Sequence, residues 1–150
     1  LVEEFIEGRE SNAAVLGNAP FAALPLSEIR FQPGLSRSIV SYNGKWLEES
    51  AEYAKTEPIC PAPLKAKEEF LLRDVALRAY KILECRDYAR VDIRLRNDVP
   101  YILEVNANPD IAPGAGLARA ARVAGLTYPK LIDRILQMAL KRKETVHAKP

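Results

Sequence analysis

The stretch Tyr88-Ala-Arg-Val-Asp-Ile-Arg-Leu-Arg96, followed after a short break by Pro100-Tyr-Ile-Leu-Glu-Val-Asn106, decides the fold. Side chains of a strand alternate between its two faces. In the first half Ala89, Val91, Ile93 and Leu95 point one way, and Arg90, Asp92, Arg94 and Arg96 point the other. In the second half Tyr101, Leu103 and Val105 share a face, and Ile102, Glu104 and Asn106 share the opposite one. Folded as a hairpin, the pair has one oily face. The other face gathers Asp92, Glu104 and Asn106, with Arg90 beside them. Oxygen-only side chains suit a hard cation, and magnesium commonly takes one or two carboxylates and completes its shell with water and phosphate oxygens. A magnesium-held phosphate with an arginine near it is the first hypothesis.

The turn is constrained by the same logic. Residues directly opposite in an antiparallel pair lie on one face. For Asp92 to meet Glu104, residue 92 pairs with 104 and 96 with 100, which predicts the three-residue loop Asn97-Asp98-Val99. A two-residue Asn-Asp turn would pair 92 with 103 and send the carboxylates to opposite faces. The bland alternative is an ordinary sheet with a solvated charged face. Against it, Glu104 and Asn106 stand just before the loop-forming Asn108-Pro109-Asp110, and loops beside a rigid scaffold are where sites concentrate.

Composition bounds the rest. A chain of 150 residues can bury one proper core, as a domain or as a lobe of something larger. It begins at Leu1, inside the expected strand Leu1-Val-Glu-Glu-Phe-Ile6, so a fragment is expected. The formal charge is +2, from 22 basic and 20 acidic residues. No basic block is concentrated enough to argue for a nucleic-acid partner. Lys141-Arg142-Lys143 is expected to end a helix, where cations favour the dipole. Cys60 and Cys85 stand at no metal-like spacing, so reduced thiols and a cytoplasmic location are expected, with Cys60 a loop packing residue. No apolar run reaches the length of a membrane span, so no membrane partner is expected. The one histidine, His147, sits in a polar tail, which rules out metal–histidine and Ser-His-Asp schemes within this chain.

Strands come first along the chain, over 1–6, 9–18 and 22–31, the last interrupted by Pro25. Phe31-Gln-Pro-Gly34 is a turn, Ser38–Tyr42 a short strand, and Asn43-Gly44 a turn signal. Residues 45–63 read as a long loop, and a loop of that length is usually functional. Helical periodicity then places Leu72, Val75, Ala76, Ala79, Ile82 and Leu83 on one stripe, able to cover the oily hairpin face. A second helix runs from about Gly116 to Ala124 and stops at Gly125. Thr127 caps a third, with Pro129 in its first turn and Leu131, Ile132, Ile135, Leu136 and Ala139 as its buried stripe. The expected class is α+β: a mainly antiparallel sheet with helices packed on one face.

Taken together, Val2-Glu-Glu-Phe-Ile-Glu-Gly-Arg-Glu10, Leu24-Pro-Leu26, the Lys45-Trp46 pair, Cys60-Pro-Ala62, Tyr88-Ala-Arg-Val-Asp92 and Leu103-Glu-Val-Asn-Ala-Asn-Pro109 occur in the order found in ATP-grasp ligases. Among these the chain most resembles the D-alanine–D-alanine ligases, over residues 1 to about 140. The resemblance implies the C-terminal lobe of an ATP-grasp domain, with the first-substrate domain and the other nucleotide-binding half absent. It implies an ATP-dependent ligase that forms a C–N bond between small-molecule carboxylate and amine substrates through an acyl phosphate. It also implies two magnesium ions, with manganese as an alternative, and allows a homodimer of the full-length protein.

Residue by residue, the resemblance makes Asp92, Glu104 and Asn106 the metal ligands, with Glu104 bridging the ions. Arg90 steadies the phosphate and the tetrahedral intermediate, and Lys45 reaches the ATP phosphates from a mobile loop. Glu3, Glu4, Phe5 and Ile6 grip adenine, Glu4 by side chain or by backbone alone. Glu10 takes the ribose hydroxyls, as a carboxylate offers only acceptors. Trp46 is either core or a substrate platform. The sequence departs from the dipeptide ligases at Asp110, which stands where they carry a glycine, and near Ala115, where they carry a serine. A carboxylate at the mouth of the site would repel an anionic second substrate and favour a cationic or polar amine. Three alternatives stay open: a D-alanine-type ligase, a ligase joining a different amino acid or amine, and a non-catalytic ATP-binding module. The isolated chain is expected to bind ATP weakly and to lack ligase activity.

Overall fold

In the computed structural model, residues 2–35 and 37–147 are described, with side chains up to residue 142. Six strands form one sheet: β1 (Arg9–Gly17), β2 (Phe21–Ala23), β3 (Ser27–Phe31), β4 (Thr56–Ile59), β5 (Tyr88–Arg96) and β6 (Val99–Asn106). The order is β4-β3-β1-β5-β6, every pairing is antiparallel, and β2 pairs with the far end of β1. Five helices accompany it: α1 (Tyr42–Trp46), α2 (Ala51–Ala54), α3 (Ala66–Ile82), α4 (Gly116–Val123) and α5 (Tyr128–His147). The class is α+β, as expected. Among the described residues no helix is long and apolar enough to cross a membrane.

The helices, expected on one face, lie on both. Ala13 packs with Leu72, Ala76 and Ala79 of α3, and Val15 packs with Tyr80. Their neighbours Ala14 and Leu16 pack instead with Leu117, Ala118, Ala121 and Leu131 of α4 and α5. Alternate residues of a strand point to opposite faces, so α3 covers one side of β1 and the α4–α5 pair covers one end of the other. Val91, Ile93 and Leu95 join the α3 layer. The predicted α3 stripe holds through Leu72, Val75, Ala76 and Ala79, but Ile82 and Leu83 run past the sheet and are exposed. In α5 Leu131 is buried and Ile135 packs beside it, whereas Leu136 is exposed. The helix also continues past the expected stop at Lys143 to His147, whose side chain lies outside the described residues.

The hairpin differs from expectation in an instructive way. Its turn has two central residues, Asn97 (φ 52°) and Asp98 (φ 62°). Both sit in the left-handed region, as a type I′ turn requires. Arg96 therefore pairs with Val99 and Ile93 with Ile102. A β-bulge then intervenes, and Asp92 still pairs with Glu104. Leu103 is the extra residue. A bulge sets two residues against one and locally re-aims side chains. The three-residue loop is thus wrong, while the carboxylate pairing it was meant to secure is present.

Four other expectations give way. Residues 2–7 form no strand; ladder pairing begins at Arg9, and Leu1 lies outside the described residues. The expected 22–31 strand is two strands, split at Leu24-Pro25-Leu26, because β2 and β3 pair with different parts of β1. Residues 38–42 make no strand, and Asn43-Gly44 lies inside α1. Residues 45–63 are no open loop but hold the end of α1, α2 and β4. Ser41 Oγ accepts from Gly44 N at 2.9 Å and Ser50 Oγ from Tyr53 N at 3.0 Å. These serine caps satisfy helix N–H groups and start the two short helices. Pro58 is tolerated because β4 is an edge strand.

Candidate active site

The polar face of the sheet beyond α4 and α5 is open, and a cleft of about 330 Å³ lies on it. Its walls come from four parts of the chain. Glu4, Phe5 and Ile6 contribute from the segment before β1, and Glu10 from β1 itself. Ile39 and Val40 contribute from the segment leading into α1, and Lys45 from α1 itself. Arg90, Asp92, Arg94, Leu103 and Glu104 line it from the hairpin. Thus eight of the residues singled out in the sequence converge here: Glu4, Phe5, Ile6, Glu10, Lys45, Arg90, Asp92 and Glu104.

Arg90 and Asp92, two apart on one strand, share a face, and the guanidinium grips the carboxylate through two parallel bonds. Nε reaches Oδ1 and a terminal nitrogen reaches Oδ2, both at 2.7 Å. Asn12, opposite Asp92 on β1, donates to the same Oδ1 at 2.8 Å. The hydrogen bonds it donates to Asp92 hold Arg90 above the ordinary arginine value, against the opposing effect of burial, with the charges of Asp92, Glu104 and Asp110 adding attraction. A carboxylate carries about four lone-pair sites. Asp92 uses three, so one remains on Oδ2. Glu104, opposite Asp92, makes no hydrogen bond or ion pair among the described residues. Asn106 pairs with Arg90 in register, and its Oδ1 accepts from Asn108 N at 3.0 Å, leaving a second lone pair. Two carboxylates and an amide oxygen on one face, each with spare lone pairs, are a donor set a magnesium ion fits when phosphate and water complete its shell. No cluster of three or more His, Cys, Asp or Glu occurs among the described residues; the third protein donor here is an amide.

Other expected residues are arranged less simply. Glu3 is exposed and lies outside the cleft lining. Glu4 accepts from Arg96 at 3.1 Å. The Phe5 ring has the guanidinium groups of Arg94 and Arg37 over it, at 5.0 and 5.7 Å, a favourable contact for a ring quadrupole. Glu10 accepts from Arg94 at 2.7 Å, and burial raises its carboxyl above the ordinary value while Arg94 pulls it back down. Lys45 Nζ sits 5.3 Å from the Trp46 ring centroid, and Trp46 is exposed outside the cleft. Asp110 Oδ1 accepts from Ala112 N at 2.8 Å, closing a turn, and the carboxylate lies near enough to Arg90 to hold its charge.

Four cleft residues carried no site role from sequence: Ile39, Val40, Arg94 and Leu103. Arg94 sits on the predicted polar face, but its partners at 6, 10 and 38 are remote in the chain. Leu103 is assigned by alternation to the oily face. The bulge brings it round to the cleft, beside Glu104. Tyr101, also assigned to the oily face, pairs with Arg94 and receives a hydrogen bond from Arg96 at 3.0 Å, so it belongs to the polar side.

The chain that builds this sheet and cleft matches known proteins over nearly its whole length. Residues 1–137 match the family described as D-ala D-ala ligase C-terminus. The chain belongs to that family. It is 39% identical over 144 residues to a protein of Sinorhizobium fredii, the uncharacterized protein y4sG, covering 95% of this chain and 41% of that one. It is 37% identical over 144 residues to the D-alanine–D-alanine ligase of Desulforudis audaxviator, covering 95% of this chain and 44% of that protein. The crystal structure of the Bacillus anthracis D-alanine–D-alanine ligase complexed with ATP superposes with a TM-score of 0.74 at 27% identity, over 95% of this chain and 42% of that one. The chain therefore spans about two fifths of the length of the relatives it matches.

Proposed function

We propose that the protein carrying this chain is an ATP-dependent carboxylate–amine ligase of the D-alanine–D-alanine ligase type, and that this chain is its C-terminal ATP-grasp lobe. The observation that carries the reading is the single cleft into which Glu4–Ile6, Glu10, Lys45, Arg90, Asp92 and Glu104 all project. In this reading residues 4–6 hold the adenine by backbone and side chain, and Glu10 takes the ribose hydroxyls. Lys45, a point charge on a flexible stem, approaches the phosphates from α1. Asp92, Glu104 and Asn106 would hold magnesium, which would supply neutralisation of phosphate charge and orientation of the transferring group. An oxygen of the first substrate's carboxylate attacks the γ-phosphorus and ADP leaves; the second substrate's amine then attacks the acyl carbon, loses a proton and expels phosphate. Arg90 is already fixed by Asp92 and offers its remaining donors to the phosphoryl oxygens without further reorganisation.

Asp110 favours a ligase whose second substrate differs from D-alanine. Its carboxylate adds negative charge close to Arg90, and a like charge on the incoming amine substrate would be repelled several-fold or more at an effective dielectric of about 20. The test is phosphate release by the full-length protein with ATP and magnesium, across a panel containing D-alanine and amines with cationic or polar side chains. Turnover that rises with amines other than D-alanine supports this second-substrate reading. Efficient joining of D-alanine to itself removes it. Glu104→Gln removes a charge at nearly constant shape and should lower turnover by about 100-fold or more, with the melting temperature held. Full turnover in Glu104→Gln overturns the assigned metal face.

A further inference from the structure

Arg94 is the most deeply buried charge in the cleft, with its side chain 3% exposed. A buried guanidinium is stable only when paired and hydrogen-bonded. Here one terminal nitrogen donates to the Ile6 carbonyl at 2.9 Å, and the other donates to Glu10 Oε2 at 2.7 Å and to the Ser38 carbonyl. Its plane also lies near the rings of Phe5 and Phe31, at 5.0 and 5.8 Å. One side chain thus touches three separate walls of the cleft.

What those walls lack makes the contacts matter. Among the described residues, the backbone of 2–7 makes no hydrogen bond to other backbone. The segment is held where it enters β1 by Gly8 (φ 137°), which lies so close to β5 that an added Cβ would stand 2.2 Å from the Leu95 carbonyl oxygen. Beyond that point the Arg94 bond to Ile6 is the polar tie between this segment's backbone and the sheet. Ser38 precedes Ile39 and Val40, which line the cleft, and leads into the helix that carries Lys45. Phe5 and Arg94 also line a second cleft of about 530 Å³, together with Glu7, Leu35, Arg37 and Ser38.

We propose that Arg94 is the positioning residue of the nucleotide cleft, fixing the adenine-side segment, the Glu10 carboxylate and the segment that leads into the Lys45 helix in one relative arrangement. The proposal rests on the ATP-binding reading above and adds a residue to it. A guanidinium is suited to the task because its planar fork presents several donors at fixed angles. An ammonium at the same position could serve one or two of the three acceptors but not all in one geometry. An apolar residue would leave the Ile6 carbonyl and the Glu10 carboxylate without partners.

The experiment uses the full-length protein. Calorimetry with magnesium–ATP and with magnesium–2′-deoxy-ATP is run on the parent, on Arg94→Lys and on Arg94→Met. Each is first checked by far-UV circular dichroism and thermal melting. The parent must bind ATP and prefer it over the 2′-deoxy form. If the parent does not bind ATP, the underlying ATP-binding reading fails. Given binding, Arg94→Met should weaken ATP by about tenfold or more, the scale of losing a hydrogen bond to a charged group. It should also bring the preference for the ribose hydroxyl down towards none. Arg94→Lys should recover part of the affinity. Folded variants that bind both nucleotides as the parent does would overturn the proposal. So would a loss of affinity with the ribose preference intact, since that separates Glu10 from Arg94. If both variants lose the fold, Arg94 is a core tie and the positioning role is likewise lost.

Discussion

The two faces of β5 are built from alternate residues of one nine-residue strand, yet they are stabilised in opposite ways. Ala89, Val91, Ile93 and Leu95 are at most 5% exposed and meet hydrocarbon from α3 and β1. Arg90, Asp92, Arg94 and Arg96 meet charge. Arg90 holds Asp92 at 2.7 Å, Arg94 holds Glu10 at 2.7 Å, and Arg96 holds Glu4 at 3.1 Å. Burial of apolar area is non-directional and answers to volume. Ion pairs at this spacing are directional and answer to geometry. The oily face therefore sets how stable the lobe is, and the polar face sets where the cleft's charges stand. Solvent grades the polar face as well: the Arg96–Glu4 pair, 33% and 71% exposed, is screened and contributes little to stability, whereas the Arg94–Glu10 pair is 3% and 12% exposed and is screened far less.

That division is open to a direct attack. Leu72 of α3 is fully buried against Ala13, Val91 and Ile93. Leu72→Ala should destabilise by about 2–5 kcal/mol, the transfer loss plus the cavity left behind. Urea denaturation measures the loss, and ATP affinity of the full-length protein below the new midpoint should match the parent. A loss under about 1 kcal/mol would mean that the α3 layer collapses freely and the oily face is no stability determinant. A large drop in affinity would mean that the two faces are not independent.

The oily layer holds one phenol, and it sharpens the contrast. Tyr80 is buried against Phe21, and its hydroxyl donates to the Gly17 carbonyl at 2.8 Å. Burial, then the neighbouring Cys85 and Asp87, push its ionisation from 10.0 up to about 12. A group whose folded value lies above its unfolded one contributes stability that is complete below the unfolded value. Stability should thus fall as pH rises from about 10 through about 12. Tyr80→Phe strands a buried carbonyl and should be less stable by about 1–3 kcal/mol at neutral pH. It should also remove the late phase of an alkaline absorbance titration. An unchanged titration would mean that Tyr80 is open to solvent in solution.

Legibility in the sequence followed the same two kinds of order. The split of β5 is a period-2 pattern over nine residues, so both its faces could be assigned from Tyr88–Arg96 alone. The pattern fails in β6 because a bulge leaves no mark on composition. The run Tyr101-Ile-Leu-Glu-Val105 is apolar but for Glu104, so nothing in it marks the register; the two-residue Asn97-Asp98 turn offsets the ladder until Leu103 absorbs the slip. The segment 38–63 was opaque for a different reason. Its helices have five and four residues, too few for a hydrophobic period to register, and they are fixed by Ser41 and Ser50 instead. Among site residues, Arg90, Asp92 and Glu104 are close in sequence or in hairpin register and could be grouped on sight. Arg94 could be placed on the right face, but the groups it ties together come from Ile6, Glu10 and Ser38, which no local pattern connects.

The smallest expected effect comes from removing the bulge itself. Taking Leu103 out of the chain leaves Ile102 opposite Ile93 and Glu104 opposite Asp92, the pairs already present, but without the extra residue between them. The ladder becomes regular, with less twist at that point. Leu103 is exposed enough, at 46%, that its loss removes little burial, and stability should change by about 1 kcal/mol or less. What disappears is the apolar side chain beside Glu104 in the cleft. The deletion should therefore weaken ATP by about threefold, the scale of partly losing a buried leucine side chain, while magnesium-dependent phosphate release survives at saturating ATP. If turnover is abolished instead, the bulge is what aims Glu104 at the metal, and the twist it introduces, not the register, places the carboxylate. If neither quantity moves, Leu103 lines the cleft without touching what binds there, and the polar face owes its shape to the charged pairs alone.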